Sequence, residues 1–416
     1  MINDVTIDAI NFGSVQAERE FLVSIGSHTE YTLAVVHTVA IPTGGTVEIV
    51  TTSDSLIILH NGRELRRFGL PENPTVSIWG SDLDDNVEIR PNDTGSQVDI
   101  RFDAGAGNDT VALIGGSLLR KGDLDIFGGS GNDTIDLSRG TAIRAFARGD
   151  DGNDTLIGSD NADLLTGDAG DDVIRGGAGN DILSGDSRGG LFTGIPGDDT
   201  IDGGEGIDTV FASGDVDFWL DNEKLVGHGT DQLTSIESAW IIGGPSANLI
   251  RTHRFVSTAG RGVIVNGAGG DDSISGGRFD DAIRGGDGND LIYGLHGNDV
   301  LSGEAGNDTL LGGSNGDLIL GNGGNDVAVG GLATTPFAAE REMNCCWDAV
   351  EMISSTDKLE TTQSSVAEGT IQYLIRKART SSTAARGMTS FPTEEPSETH
   401  LWEELVLTSF KVTPAT

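Results

Sequence analysis

Gly285-Gly286-Asp287-Gly288-Asn289-Asp290-Leu291-Ile292-Tyr293 is one unit of a nine-residue pattern that fills two unbroken blocks of the chain. Gly176-Gly177-Ala178-Gly179-Asn180-Asp181-Ile182-Leu183-Ser184 is its counterpart in the earlier block. Glycine is favoured at positions one, two and four, aspartate stands at six and a large aliphatic at eight. Units start at Gly149, Gly158, Gly167, Gly176, Gly185, Gly194 and Gly203, then at Gly267, Gly276, Gly285, Gly294, Gly303, Gly312 and Gly321. The sixth position holds Asp154, Asp163, Asp172, Asp181, Gly190, Asp199 and Asp208 in the first block. In the second it holds Asp272, Asp281, Asp290, Asp299, Asp308, Asp317 and Asp326, so Gly190 is the one break in the acidic column. A fixed period of this kind means that each unit is one turn of a repeat architecture.

The spacing has a physical logic. Glycine takes positive φ without steric cost, so six residues can turn sharply and present their carbonyls. The last three residues extend as a short strand, such as Thr155-Leu156-Ile157, whose central aliphatic points inward. Parallel stacking of these strands predicts a solenoid with a thin apolar core, each rung touching only its neighbours. Stacked carboxylates about 5 Å apart repel by about 3 kcal/mol per pair at an effective dielectric near 20, which makes the metal-free stack marginal. A hard cation reverses that balance. Calcium accepts six to eight oxygen ligands of mixed kind, magnesium demands a stricter octahedron, and zinc would want the His or Cys that the blocks almost lack. The plainer alternative is that each acid only bonds backbone amides near its turn. Asn or Ser would serve that purpose equally, and the invariance of the acid would go unexplained.

The unit resembles the RTX, or hemolysin-type calcium-binding, nonapeptide repeat. The resemblance covers residues 149–211 and 267–329 closely and implies a parallel β-roll in which alternate units form opposite sides. It implies several calcium ions, each held between two turns by aspartate side chains and turn carbonyls, with Gly176, Gly177, Gly179, Gly285, Gly286 and Gly288 among the turn residues. Asp154, Asp172 and Asp208 are then expected on one side, with Asp163, Asp181 and Asp199 on the other. Gly190 is expected to weaken the sites that would draw on it.

The formal net charge is −39, with 26 Lys and Arg against 65 Asp and Glu. Residues 149–211 contribute −13 and residues 267–329 contribute −9, so more than half of the charge lies in the repeats. Nucleic acid and anionic membrane surfaces would be repelled, whereas cations would be drawn in. The two cysteines, Cys345 and Cys346, are adjacent and outside the blocks, so no disulfide framework supports the thin core. They read as ordinary free thiols. No stretch is apolar enough for a transmembrane segment, and the N-terminus lacks the pattern of a cleaved secretory signal.

The organisation expected is all-β, in six parts. Residues 1–79 form an N-terminal β region with strands such as Thr46-Val47-Glu48-Ile49-Val50 and a hairpin turning at Asn61-Gly62. Residues 80–148 form longer coils, because Asp85, Asp109 and Asp133 stand 24 residues apart, each followed by a strand. Their turns, such as Gly128-Gly129-Ser130-Gly131-Asn132-Asp133, resemble single RTX turns and make a further calcium ion conceivable there. Residues 149–211 are the first roll block and 212–266 a spacer that continues the solenoid. Asn248 lies 24 residues before Asp272, and Thr230-Asp231-Gln232-Leu233-Thr234-Ser235-Ile236-Glu237 is similar to spacers that divide RTX arrays. Residues 267–331 are the second block. Residues 332–416 form a tail with helical spacing over Ala338 to Ile353 and Ser365 to Ala378, and disorder is expected over Thr380 to Thr399. The resemblance implies export from a Gram-negative cell by a type I system. Its uncleaved signal could lie around Leu401 to Leu407, or the tail could be an unrelated appendage.

RTX-like chains often carry a zinc protease or lipase, and the protease motif H-E-x-x-H does not occur. The histidines, His28, His37, His60, His228, His253, His296 and His400, show no metal-ligand spacing. Gly312-Gly313-Ser314-Asn315-Gly316 spells G-x-S-x-G inside a repeat turn, without the strand-then-helix setting of a nucleophile elbow. The favoured expectation is a secreted or surface calcium-binding protein, structural or adhesive and without catalytic activity. It would be a monomer, with a cell-surface or matrix component as the class of partner. The alternative is the repeat portion of an exported RTX-like enzyme or toxin whose active domain is absent. A third reading places a hydrolytic or carbohydrate-binding site on the N-terminal β region, and a deep acidic cleft near Asp82, Asp84 and Asp85 would favour it.

Overall fold

A computed structural model describes residues 36–40, 46–52, 55–69, 75–90, 99–115, 124–140, 145–186, 196–331, 337–338 and 341–347. These residues are all β, and their 31 strands form one hydrogen-bonded network. Within the coils most strands pair in parallel with the strand two places ahead. Thr155–Ile157 pairs with Val173–Gly179, and the intervening Leu164–Ala169 pairs with Ile182–Ser184. Two parallel stacks result, joined rung by rung through the glycine turns, and this is a β-roll solenoid.

The eighth residue of each unit supplies the core. Leu156, Leu165, Ile174, Leu183 and Ile201 in the first block, and Ile274, Ile292, Leu301, Leu310 and Ile319 in the second, are fully buried. Position seven of the same strands points outward, as period-two alternation requires. One aliphatic side chain per rung is a thin core. It continues into the 24-residue coils through Val87, Val111 and Ile135, which are paired side by side.

At the N-terminal end, Ser55–His60 and Arg63–Gly69 form the expected antiparallel hairpin. Asn61 (φ 50°) and Gly62 (φ 73°) both take the left-handed conformation that a two-residue hairpin turn needs. Thr46–Thr51 joins this hairpin to the solenoid, pairing antiparallel with Ser55–His60 and parallel with Asn86–Arg90. The segment between the blocks is continuous with the stack. Thr200–Gly206 pairs with Thr230–Thr234, Thr209–Ser213 with Ser238–Ile242, and Leu249–Arg254 with Ser273–Ser275. A small antiparallel excursion, Phe218–Asp221 with Lys224–Val226, accounts for the extra length.

Two expectations need correcting. Where helical spacing had been read from Ala338 onward, Arg341–Trp347 is a strand that pairs in parallel with Gly323 to Val329. The last rung of a parallel stack presents a row of unpaired backbone groups, and that template outweighs local helical preference. The second helical stretch, the segment 380–399 and Leu401 to Leu407 lie outside the described residues, as does Gly190. The second correction concerns the two sides of the roll. For Asp172 and Asp181 the hydrogen-bonded partner lies 27 residues ahead instead of 18, so the units beginning at Gly185 and Gly194 together provide one rung.

Leu310 is flanked in its stack by Ile292 and Ala328. Leu310→Ala should cost about 2–5 kcal/mol of local stability. In saturating calcium, hydrogen exchange should accelerate most at these two neighbouring rungs and little at Leu156.

Candidate metal centres

The sixth-position aspartates are gathered into four ladders by one repeated hydrogen bond. In each, the backbone N–H of one aspartate donates to Oδ1 of the aspartate one coil ahead. Asp154 donates to Asp172 at 2.7 Å and Asp172 to Asp199 at 2.8 Å. The same ladder reaches back through Asp133 and Asp109 to Asp85 and forward to Asp231. On the opposite side Asp163, Asp181, Asp208 and Glu237 follow one another. In the second block Asn248, Asp272, Asp290, Asp308 and Asp326 form one ladder, and Asp281, Asp299 and Asp317 the other. Asp199 therefore lies with Asp154 and Asp172, and Asp208 with Asp163 and Asp181, the reverse of the expected sides. Nine additional residues within one turn shift the alternation by one unit.

Oδ1 thus does what the plainer alternative proposed, and Oδ2 does not. Apart from the turn of Asp199, the turns of the two blocks fall into two conformations. In the open turn, positions two and four are both left-handed, as at Gly177 (φ 103°) and Gly179 (φ 136°) or Gly286 (φ 116°) and Gly288 (φ 141°). In the closed turn the residue at position two is not left-handed, and its N–H donates to the second carboxylate oxygen of the same turn. Ser159 gives this bond to Asp163 and Gly277 gives it to Asp281, both at 2.6 Å. Ser81 does so for Asp85, and Gly244 donates to the side-chain amide oxygen of Asn248. The fourth residues of these closed turns are Asn161, Phe279, Leu83 and Ser246, where open turns have glycine or, once, Asn315. A side chain at position four penalises the left-handed backbone and selects the closed state. Each closed turn is the first rung of its ladder.

In the turns of the remaining ladder aspartates no such amide is available. Oδ2 of Asp154, Asp172, Asp181, Asp199 and Asp208, and of Asp272, Asp290, Asp299, Asp308, Asp317 and Asp326, is buried without a hydrogen-bond partner. The same holds for Asp109 and Asp133 in the longer coils. The unpartnered oxygen lies over the first glycine of its own unit, so a Cβ on Gly285 would overlap Asp290 Oδ2 and one on Gly176 would overlap Asp181 Oδ2. Position one is glycine because the carboxylate needs that space.

A buried, unpartnered carboxylate oxygen is expensive. In the metal-free chain the expense appears as raised proton affinity. Burial pushes Asp172 up to about 9 and Asp299 up to about 8, aided in each case by neighbouring carboxylates and only partly opposed by the ladder hydrogen bond. Asp109, Asp154 and Asp181 rise to about 7 for the same reasons. Two fates are open to such a column, protonation or a cation. All the donors are oxygens, carboxylate and turn carbonyl, which suits calcium far better than zinc.

A family model described as RTX calcium-binding nonapeptide repeat matches residues 125–141, 148–186, 193–218, 266–301 and 293–328. These are RTX repeats. No curated protein matches the chain. RTX repeats bind calcium, and the orphaned oxygens of Asp154, Asp172, Asp290 and their equivalents would hold it, supplying the positive charge that the column lacks. The first matched segment takes the RTX pattern into the longer coils, at the turn of Asp133. Asp163 and Asp281, grouped by sequence with the other ligands, instead have closed turns in which the second oxygen is already engaged. Asp231 and Glu237, noted only as part of a spacer, are ladder members, and Asp186 is a buried carboxylate that the nine-residue pattern does not single out.

Asp84 accepts the amide of Asn108, and Asp85 that of Ser81. Ser314 Oγ lies 2.6 Å from His296 Nδ1 on the exposed surface. The strand Leu318–Gly331, and not a helix, follows it.

Unfolded aspartates titrate near 4, so the folded metal-free roll holds protons that unfolding releases. Its stability is greatest at low pH and is lost as pH rises through about 6 to 9. In excess chelator the thermal midpoint should be higher at pH 5 than at pH 8.5. With saturating calcium the order should reverse, because the ion competes with protons for the same oxygens. Thermal melts followed by circular dichroism would check both.

Proposed function

We propose that the chain is a secreted or surface-exposed bacterial protein with a structural or adhesive role, whose β-roll is completed by calcium. RTX repeats are typical of secreted bacterial proteins. The observation that carries the proposal is the column of buried carboxylate oxygens left without partners in every described open turn of the two blocks. Where calcium is scarce these oxygens must be protonated or exposed, and the roll is loose. At extracellular calcium concentrations the ions neutralise them and couple binding to folding. The rungs have no larger core with which to compensate. On this proposal the chain's activity is ion-dependent scaffolding and not catalysis.

Calcium titration should produce a cooperative gain of β signal in far-UV circular dichroism, with a midpoint at roughly 0.1 to 1 mM. Asp290→Asn together with Asp308→Asn should raise that midpoint by roughly tenfold, equivalent to about 1.4 kcal/mol. Asp163→Asn, in a closed turn, should leave it nearly unmoved. A chain equally ordered in excess chelator at neutral pH would defeat the proposal.

A further inference from the structure

The nine-residue shift in register builds something that the regular turns do not have. The turn that carries Asp199 starts at Gly185, whose Cβ would overlap Asp199 Oδ2 just as in an ordinary unit. It then passes through Asp186 and resumes at Gly197, whose N–H donates to Asp186 Oδ1 at 3.3 Å. Asp186 therefore occupies the second position of a composite turn. One coil ahead stands Asp231, whose Oδ1 accepts the N–H of Asp199 at 3.2 Å. Ligand oxygens of Asp186, Asp199 and Asp231 all lie within 4.8 Å of one another. This is the one such convergence of His, Cys, Asp or Glu side chains among the described residues.

The carboxylates are enclosed as well as close. Asp186 is 7% exposed, Asp199 0% and Asp231 7%. Oδ2 of Asp186 and Oδ2 of Asp199 are buried without hydrogen-bond partners. Phe211, Phe218 and Leu225, together with His228, wall the small cavity that Asp186 and Asp231 line. The low-polarity wall strengthens any charge interaction inside it. Arg148, a basic side chain of this block, is engaged with Asp168 and Asp150. Three acids in so apolar a place call for a cation.

We propose that Asp186, Asp199 and Asp231 form a junction site for a single calcium ion, separate from the sites between regular RTX turns. Only Asp199 belongs to the sixth-position column. Asp186 comes from position two, and Asp231 from the longer coil that follows. Three converging carboxylates exceed what a regular open turn offers, and affinity for calcium rises with ligand charge. The junction site should therefore fill before the repeats. Because Asp186 and Asp199 flank residues 187–195, the ion also closes the chain across that insertion.

The test is calcium binding to the full-length chain by isothermal titration, with far-UV circular dichroism on the same samples. Asp186→Asn and Asp231→Asn are near-isosteric and keep an Oδ1 acceptor, so the hydrogen bonds from Gly197 and Asp199 survive. The unaltered chain should show one ion bound at least tenfold more tightly than the rest. Each variant should lose that ion while the weaker class persists, and combining the two should add little, as expected of residues sharing one site. A variant that folds only at higher calcium than the unaltered chain would also support the site. Isotherms unchanged by both variants would overturn the junction site and leave the repeat sites standing. A chain that binds no calcium at all would overturn both, and a variant that fails to fold at any calcium concentration would show that these acids do more than hold an ion and defeat the assignment.

Discussion

Everything in this solenoid follows from a division of labour between two oxygens of one carboxyl group. Oδ1 accepts the amide of the preceding coil and fixes the rise from rung to rung. Oδ2 is turned over the first glycine of its unit and buried there. The first interaction could be made by asparagine, and Asn248, though it heads its ladder, belongs to a closed turn and leaves no orphaned acid. The second has no neutral substitute, because a buried acceptor with no donor must be answered by a proton or a metal ion. A core of one aliphatic side chain per rung is too thin to absorb that cost.

Much of this was legible in the chain. The period of nine and the inward aliphatic at position eight follow from residues such as Asp290 and Ile292, whereas the glycine at position one, read as a positive-φ residue, is not left-handed and instead leaves room for the carboxylate. The hairpin at Asn61-Gly62 was equally explicit. The sides of the roll were not legible beyond Gly185, because the insertion is itself nine residues long and so preserves the phase of the pattern. The one hint was Gly190, where the acid is missing. Closed turns carry a signal too, a side chain at position four in Asn161 and Phe279, but its meaning depends on the backbone conformation that it excludes. Arg341–Trp347 was hidden for another reason: its extended form is imposed by the edge of the preceding rung and not by its own residues.

The largest irregularity of the roll is also where three acids converge. The regular turns repeat one arrangement of ligands, whereas the composite turn at Gly185 and Gly197 combines a position-two acid, a column acid and an acid from the next coil. A short insertion into a repeat therefore need not damage the array; here it brings together side chains that strict periodicity would keep apart. The apolar excursion of Phe218 and Leu225 then closes over that place.

The ladder bond has a sense of direction. Every carboxylate grips the amide behind it, and its own amide is gripped from in front. Deleting the side chain of Asp308 would release the turn of Asp290, while the backbone of Asp308 itself would stay fastened to Asp326. Through this bond damage passes toward the N-terminus, whereas the core contacts of each rung couple it to the neighbours on both sides.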